Sequence, residues 1–348
     1  MAFAEKLEIW YADFGRDLPW RGIDNPYYIW LSEVILQQTR IEQGRGYYAR
    51  FVEAFPTVGD LARASEEQVL RLWQGLGYYS RARNLHEAAR HIIEDCNGRF
   101  PATYEEILSL KGVGRYTAAA IASFAYKLPY PVIDGNVYRF ISRLYGIATP
   151  IATDAAYRDF ERVLMRQIDK SRPDVFNAAL MDFGSLQCKP VPDCERCPFV
   201  EECVARRTGR VEQLPVRVEK KPPIDRWFLY LDVRCGGKVL VEQRMAKDIW
   251  KGLWEFLLVE VDRELSVDEA EQEASHYIKR ELGMEGAEFH FMMQCVHKLT
   301  HRTVHAYFMR AELGKIPDSL PKNVMQISVE KMKKLPVSRL IDRYLQRL

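Results

Sequence analysis

The chain has 348 residues, 47% hydrophobic and 28% charged, with a formal net charge of +2. That is enough for two cores and too near neutral for a global field, so an anionic partner must meet local basic patches. No apolar run reaches membrane-spanning length, the amphipathic start MAFAEKLEIWYADFG is unlike a signal peptide, and seven cysteines argue for a reducing cytoplasm over a disulfide framework.

From Phe3 to about Cys203 the sequence reads as helical. Apolar residues recur at three- and four-residue spacing over 29–38, 81–96, 116–125 and 157–168. Ser65 with Gln68, and Thr103 with Glu106, have the spacing of capping boxes. In LKGVGRYTA at 110–118, Gly112 and Gly114 permit a tight turn and expose consecutive N–H groups where the next helix begins, a place for a phosphate oxygen. This is the pattern of a helix–hairpin–helix, although a plain αα-corner accounts for the two glycines as well. Asp134, in VIDGNVYR, is placed as an N-cap before a helix over 137–146.

The helical region closes on four cysteines in QCKPVPDCERCPFVEEC: Cys188, Cys194, Cys197 and Cys203. Their gaps match no common zinc finger or ribbon, and four thiolates suit either zinc or an iron–sulfur cluster. Cys96, Cys235 and Cys295 read as ordinary buried thiols. The run from Arg206 to Lys221 then carries six basic residues against two acidic ones and ends at Pro222-Pro223. Beyond it come strands: WFLYLDVRC, a Gly236-Gly237 hairpin turn, KVLVEQR and WEFLLVEV. A helix at Val267–Leu282 follows, then FHFMMQC and TVHAYFMRAEL. The expected organisation is an all-α domain over 1–205, a basic, proline-containing linker over 206–225, and a smaller α+β domain over 226–348.

Six stretches carry a resemblance: LPWR at 18–21, WLSEVILQQTRIE at 30–42, GLGYYSRARNL at 75–85, KGVGRYTAAAI at 111–121, VIDGNVYR at 132–139, and the cysteine run. Together they resemble the helix–hairpin–helix DNA glycosylase superfamily with a [4Fe-4S] cluster and, within it, the MutY-type adenine DNA glycosylases. The resemblance covers essentially the whole chain. It implies a cytoplasmic monomer, free of membranes, that acts on double-stranded DNA in base-excision repair. The implied reaction is monofunctional hydrolysis of the N-glycosidic bond of adenine mispaired with 8-oxoguanine or guanine.

The resemblance also assigns residues. Glu33 protonates the departing adenine, a role that suits its neighbours Leu31, Val34, Ile35 and Leu36, because burial disfavours the charged form. Asp134, expected to stay ionised, faces the cationic sugar, with Asn136 and Tyr116 in support. In the endonuclease III relatives a lysine stands at position 116; tyrosine forms no Schiff base, so water is the expected nucleophile. Trp20 and Arg21 line the adenine pocket. Gln38 and Tyr78 push into the duplex, with Thr39 beside Gln38 in the DNA-binding set. Gly112 and Gly114 grip the backbone, and Lys111, Arg81, Arg83 and Arg139 are candidate phosphate contacts. The four cysteines hold the [4Fe-4S] cluster, with zinc as the alternative, and present Arg206, Arg207 and Arg210 to DNA; their first gap is one residue shorter than the family's.

The C-terminal part is similar to the Nudix-like recognition domain of these proteins, most clearly at IWKGLWEFLLVE over 249–260. Only a remnant of the magnesium-binding Nudix box remains, at Lys279–Gly283, so binding rather than hydrolysis is expected. Leu299-Thr300-His301 stands where the family has a Phe-Ser-His loop that inspects 8-oxoguanine; the hydroxyl is kept and the aromatic stack lost. The competing readings are an endonuclease III-like enzyme for oxidised pyrimidines, a catalytically idle lesion binder, and a nucleotide-pool Nudix hydrolase.

Overall fold

A computed structural model describes residues 2–219, 222–316 and 319–348. Its helices are α1 (Phe3–Phe14), α2 (Pro26–Leu36), α3 (Ile41–Ala54), α4 (Val58–Arg63), α5 (Glu66–Trp73), α6 (Ser80–Glu94), α7 (Tyr104–Ser109), α8 (Arg115–Tyr126), α9 (Gly135–Tyr145), α10 (Asp154–Met165), α11 (Pro173–Leu186), α12 (Val204–Arg207), α13 (Val267–Leu282), α14 (Val329–Met332) and α15 (Arg339–Leu345). The strands are β1 (Ile224–Cys235), β2 (Lys238–Gln243), β3 (Trp254–Val261), β4 (His290–Lys298), β5 (Arg302–Glu312) and β6 (Val324–Ser328). Chain contacts define two units, Met1–Arg63 with Asn84–Glu219, and Ala64–Arg83 with Lys220–Leu348. No helix among the described residues is long and apolar enough to cross a membrane.

The first unit is helical. Both expected capping boxes form, Thr103 with Glu106 here and Ser65 with Gln68 in the second unit. Helix α2 starts where Asn25 Oδ1 accepts from the Tyr27 and Tyr28 N–H groups and Pro26, which lacks an N–H, takes the first helical position. Residues Ile29 to Ile35 of this helix are all buried, so a carboxylate among them enters the interior with it. A core joins Leu7 and Trp10 of α1, Val137 and Phe140 of α9, Phe160 of α10, and Phe176 and Phe183 of α11. Phe199, between the third and fourth cysteines, inserts into this core with its ring 5.2 Å from Phe183 and anchors the cysteine loop.

The basic segment after Cys203 is more structured than a linker. Its start forms α12, Arg143 Nε donates to the Leu214 carbonyl at 3.1 Å, and Ile151 bridges Arg217, so 206–219 belongs to the first unit. Buried arginine donors, invisible in local composition, make the difference. Lys220 and Lys221 lie outside the described residues.

The second unit is a mixed six-stranded sheet in the order β4-β5-β1-β3-β2-β6, with β1 and β5 parallel and the other pairs antiparallel. Gly236 and Gly237 have φ of 56° and 75°, the left-handed values a two-residue hairpin turn requires. Alternation along β1 sends Leu229, Leu231 and Val233 toward Ala270, Ala274 and Ile278 of α13. On the β5 side Phe308 stacks on Tyr344 of α15 at 4.3 Å. Residues 64–83, which the sequence places with the first domain by adjacency alone, group here. Trp254 Nε1 donates to Glu67 Oε2 at 3.3 Å, Arg71 to the Leu335 carbonyl at 3.2 Å, and the Tyr79 hydroxyl to the Val337 carbonyl at 3.3 Å.

Candidate active site

Glu33 sits in the middle of α2 and is 6% exposed. Burial raises its carboxyl above the usual range, and the charge of Asp134 adds to the rise. A hydrogen bond from the Tyr116 hydroxyl and the charge of Arg21 pull the other way. Tyr116, on the first turn of α8, is itself raised well above an ordinary phenol by burial and by the two carboxylates. Glu33, Tyr116, Asp134 and Arg21 therefore share one electrostatic environment, although they come from α2, α8, the α9 cap and the loop before α2. Burial that favours the protonated form of Glu33, beside a second carboxyl, suits an acid that gives up a proton.

Asp134 caps α9. Its Oδ1 accepts from the Asn136 N–H at 2.8 Å and the Val137 N–H at 2.7 Å, and Oδ2 from Asn136 Nδ2 at 2.9 Å. These donors favour the ionised form, yet burial outweighs them and the carboxyl lies above its ordinary value. The cap does not leave it an unperturbed carboxylate.

Arg139 continues this chain of contacts. It is 8% exposed and donates to Asn136 Oδ1 at 2.8 Å, to the Gly184 carbonyl at 2.6 Å and to the Cys188 carbonyl at 2.8 Å. It is an internal strut between Asp134 and the cysteine loop, which corrects its reading as a phosphate contact. Arg81 and Arg83 are corrected likewise. Arg81 is 9% exposed and lies over the Trp73 ring, and Arg83 donates to the Lys251 carbonyl. Arginine's long apolar stem and five donors let it disappear inward where a sequence suggests a surface charge. Lys111, Arg206 and Arg207 are exposed.

Trp20 is buried edge-on against Tyr48 at 5.3 Å, and Arg21 lies over the Phe124 ring at 4.8 Å. Gln38 is exposed just past α2 with φ 56°, with Thr39 partly buried after it. In the hairpin, Gly112 has φ 76° and a Cβ there would stand 2.6 Å from that of Asn84, so both conformation and space demand glycine. Gly114 caps α8 with φ −100° and nothing within 4 Å of a Cβ; its value is the bare helix N-terminus it leaves.

All four cysteines of the cluster line one cavity, with Phe140, Phe199 and Arg143. The five-residue first gap does not take Cys188 out of this ring. Arg143 Nη1 approaches Cys188 Sγ at 3.6 Å and donates to the Lys189 carbonyl, while Nη2 donates to that of Pro190. Burial pushes the Cys197 thiol up to about 12 and the Cys188 thiol upward. No group of three or more Cys, His, Asp or Glu among the described residues is disposed to hold a single metal ion. Cys96, Cys235 and Cys295 are partly rather than fully buried.

In the second unit, Leu299, Thr300 and His301 form the β4–β5 turn and line a pocket with Tyr78 and Trp250. Tyr79 is buried at 5%, whereas Tyr78 is 44% exposed with φ 48°, its hydroxyl hydrogen-bonded to Thr300 Oγ1. The Nudix-box remnant is tied up in ion pairs, Lys279 with Glu285 and Arg280 with Glu281. The sequence reading missed Asp182 of α11, fully buried and bound by Arg16; a lone acid in the apolar run AALMDFG was the available signal.

The pattern of the HhH-GPD superfamily of base excision DNA repair proteins matches residues 31–166, and that of the NUDIX domain matches 229–347. An adenine DNA glycosylase of Buchnera aphidicola subsp. Baizongia pistaciae is 36% identical over 265 residues, covering 74% of this chain and 73% of its own. The chain belongs to the adenine DNA glycosylases. It is thus a DNA glycosylase of base-excision repair, with a Nudix-like domain after the catalytic one. The human adenine DNA glycosylase is 41% identical over 310 residues, and the chain spans 57% of its length. Among solved structures, a thermostable thymine-DNA glycosylase matches 59% of the chain and 95% of its own with a TM-score of 0.56 and 27% identity. An endonuclease III–DNA complex, at 24% identity and TM-score 0.52, shares the fold.

Proposed function

We propose that this adenine DNA glycosylase removes adenine mispaired with 8-oxoguanine, or with guanine, from double-stranded DNA, using water and leaving an abasic site. The observation that carries the reading is the buried Glu33, with the Tyr116 hydroxyl and the Asp134 carboxyl both acting on its proton. An adenine turned out of the helix takes the Glu33 proton on a ring nitrogen, and the bond to C1′ breaks with its electron pair leaving on the purine. The Asp134 carboxylate stabilises the cationic sugar, water adds to C1′, and its surplus proton passes to a carboxylate, restoring the acid. Tyr116 stays neutral and holds Glu33 in place. No amine stands at that position to attack the sugar, so no covalent sugar intermediate forms there. Gln38 and Tyr78, both exposed at positive φ, are the residues to enter the duplex; strained backbone of that kind is retained at sites of action.

Cys188, Cys194, Cys197 and Cys203 would hold a [4Fe-4S] cluster. Four soft donors ringing a cavity, with Arg143 to offset thiolate charge, suit a polynuclear cluster better than one zinc ion, whose ligands converge on a point. Such a group would tie the loop to the core and fix Arg206 and Arg207 for phosphate. The enzyme works as a cytoplasmic monomer.

Single-turnover excision from duplexes carrying adenine opposite 8-oxoguanine, guanine or cytosine tests the reading. Rates should fall in that order. Equal rates, or release of an oxidised pyrimidine instead, would sink it. Anaerobically prepared protein should carry iron and absorb in the visible blue; a colourless zinc protein would overturn the cluster assignment alone.

A further inference from the structure

Asp182 is a carboxylate with no access to solvent, on the inner face of α11. Its Oδ2 accepts from the Arg16 backbone N–H at 2.8 Å, and its Oδ1 from Arg16 Nε at 3.1 Å and Nη2 at 2.5 Å. Arg21 Nη2 stands 3.9 Å from the same Oδ1. Two cations thus converge on one anion, and one of them faces the reacting acid. Arg21 is pinned over Phe124 and has its Nη2 3.8 Å from Met181 Sδ, while its Nε and Nη1 are buried without a hydrogen-bond partner among the described residues. A guanidinium cannot discard its charge, and its idle buried N–H groups cost free energy that an incoming acceptor would recover. The ring nitrogens of an extruded adenine are such acceptors.

We infer that Asp182 is a positioning residue for excision: it orients Arg21 toward the extruded base and offsets its charge, so that Arg21 binds the purine without stripping Glu33 of its proton. The inference rests on the excision reading above. The groups facing Glu33 are Arg21 from the loop before α2, Tyr116 from α8 and Asp134 at the α9 cap. Tyr11 of α1 and Asp174 of α11 belong to the same electrostatic neighbourhood as Arg16, Arg21 and Asp182. Arg21 is the cation among those facing Glu33, and Asp182 is the fully buried anion beside it.

The test is the pH dependence of single-turnover adenine excision by the full-length enzyme. Asp182→Asn leaves Arg21 uncompensated, and the alkaline limb should move down by about one pH unit, the scale of one nearby charge. Arg21→Met removes the cation and should move the limb up. Asp182→Asn placed on Arg21→Met should then move it much less than it does alone, because Asp182 acts chiefly by placing Arg21. Limbs that stay fixed while rate or stability simply falls would overturn the inference and leave Asp182 a packing element. If Asp182→Asn does not fold, an unmoved limb in Arg21→Met overturns it equally. Wild-type protein that excises no adenine would instead defeat the reading beneath; normal excision with fixed limbs defeats this inference alone.

Discussion

Gly184 of α11 lies so close to Asn136 that a Cβ there would stand 2.7 Å from the Asn136 carbonyl oxygen. The same glycine offers its carbonyl to Arg139, so the aspartate cap and α11 are fitted together at one point. Gly184→Ala must push Asn136 away and with it Asp134. It should destabilise the protein by about 1–3 kcal/mol through overpacking and slow excision by more than duplex binding. A melting curve beside single-turnover rates checks this; an alanine variant of wild-type speed would mean the approach is looser than it appears.

Glu33→Gln keeps the shape of the side chain and removes the proton donor. Excision should fall by roughly 10²–10⁴ with duplex binding retained. The pH sign follows from the raised carboxyl. Its contribution to stability is full below the unfolded value and is lost as pH rises through the folded one, so the glutamine protein should be the more stable of the two at alkaline pH. The same titration predicts that wild-type excision declines as Glu33 ionises.

Borohydride added during turnover should trap almost no protein–DNA adduct, because Tyr116 offers no amine to the sugar. Abundant adduct would point to Lys111 and overturn the water mechanism.

The Tyr78–Thr300 hydrogen bond links the residue expected in the duplex to the loop expected to read the lesion. Thr300→Ala and Tyr78→Phe should be non-additive, with a coupling of about 0.5–1.5 kcal/mol in duplex binding. Each should also erode the preference for 8-oxoguanine over guanine. Strict additivity would mean the contact is absent in solution.

Arg244 holds the wall of that pocket. It is 7% exposed and binds Glu255, Asp248 and the Ile249 carbonyl, beside Trp250. Burial raises Glu255 to about 7 in spite of this partner. Arg244→Met leaves a buried carboxylate without its cation, still taking a hydrogen bond from the Tyr230 hydroxyl, and should destabilise by about 3–5 kcal/mol above pH 7, less as pH falls and Glu255 takes up a proton. Melting temperatures at pH 6 and 8 make the comparison; an equal loss at both would argue against a titrating Glu255.

Much of the molecule was legible in the chain because its signals are local. Period 3.6 and capping pairs mark the helices, period 2 and a Gly-Gly turn mark β1 to β3, and short strings such as WLSEVILQQT and KGVGRYT point to Glu33 and the hairpin. Strand β6 and the helices α14 and α15 are too short to show a period. The side-chain destinations of arginines were not legible either: Arg81, Arg139 and Arg143 look like surface charge and are buried struts, since a long side chain chooses its partner only after distant segments meet. For the same reason 64–83 groups with the second unit although its sequence neighbours lie in the first.

By itself, then, the sequence determined the helical and strand elements, the presence of a buried acid and the donor set of the cysteine loop, because spacing and composition act over a few residues. Only the tertiary structure decided that Glu33, Tyr116 and Asp134 act on one another electrostatically, that Asp134 is raised despite its cap, and that Asp182 stands between two arginines. Electrostatic coupling and desolvation depend on distance in space, and no local pattern in the chain encodes it.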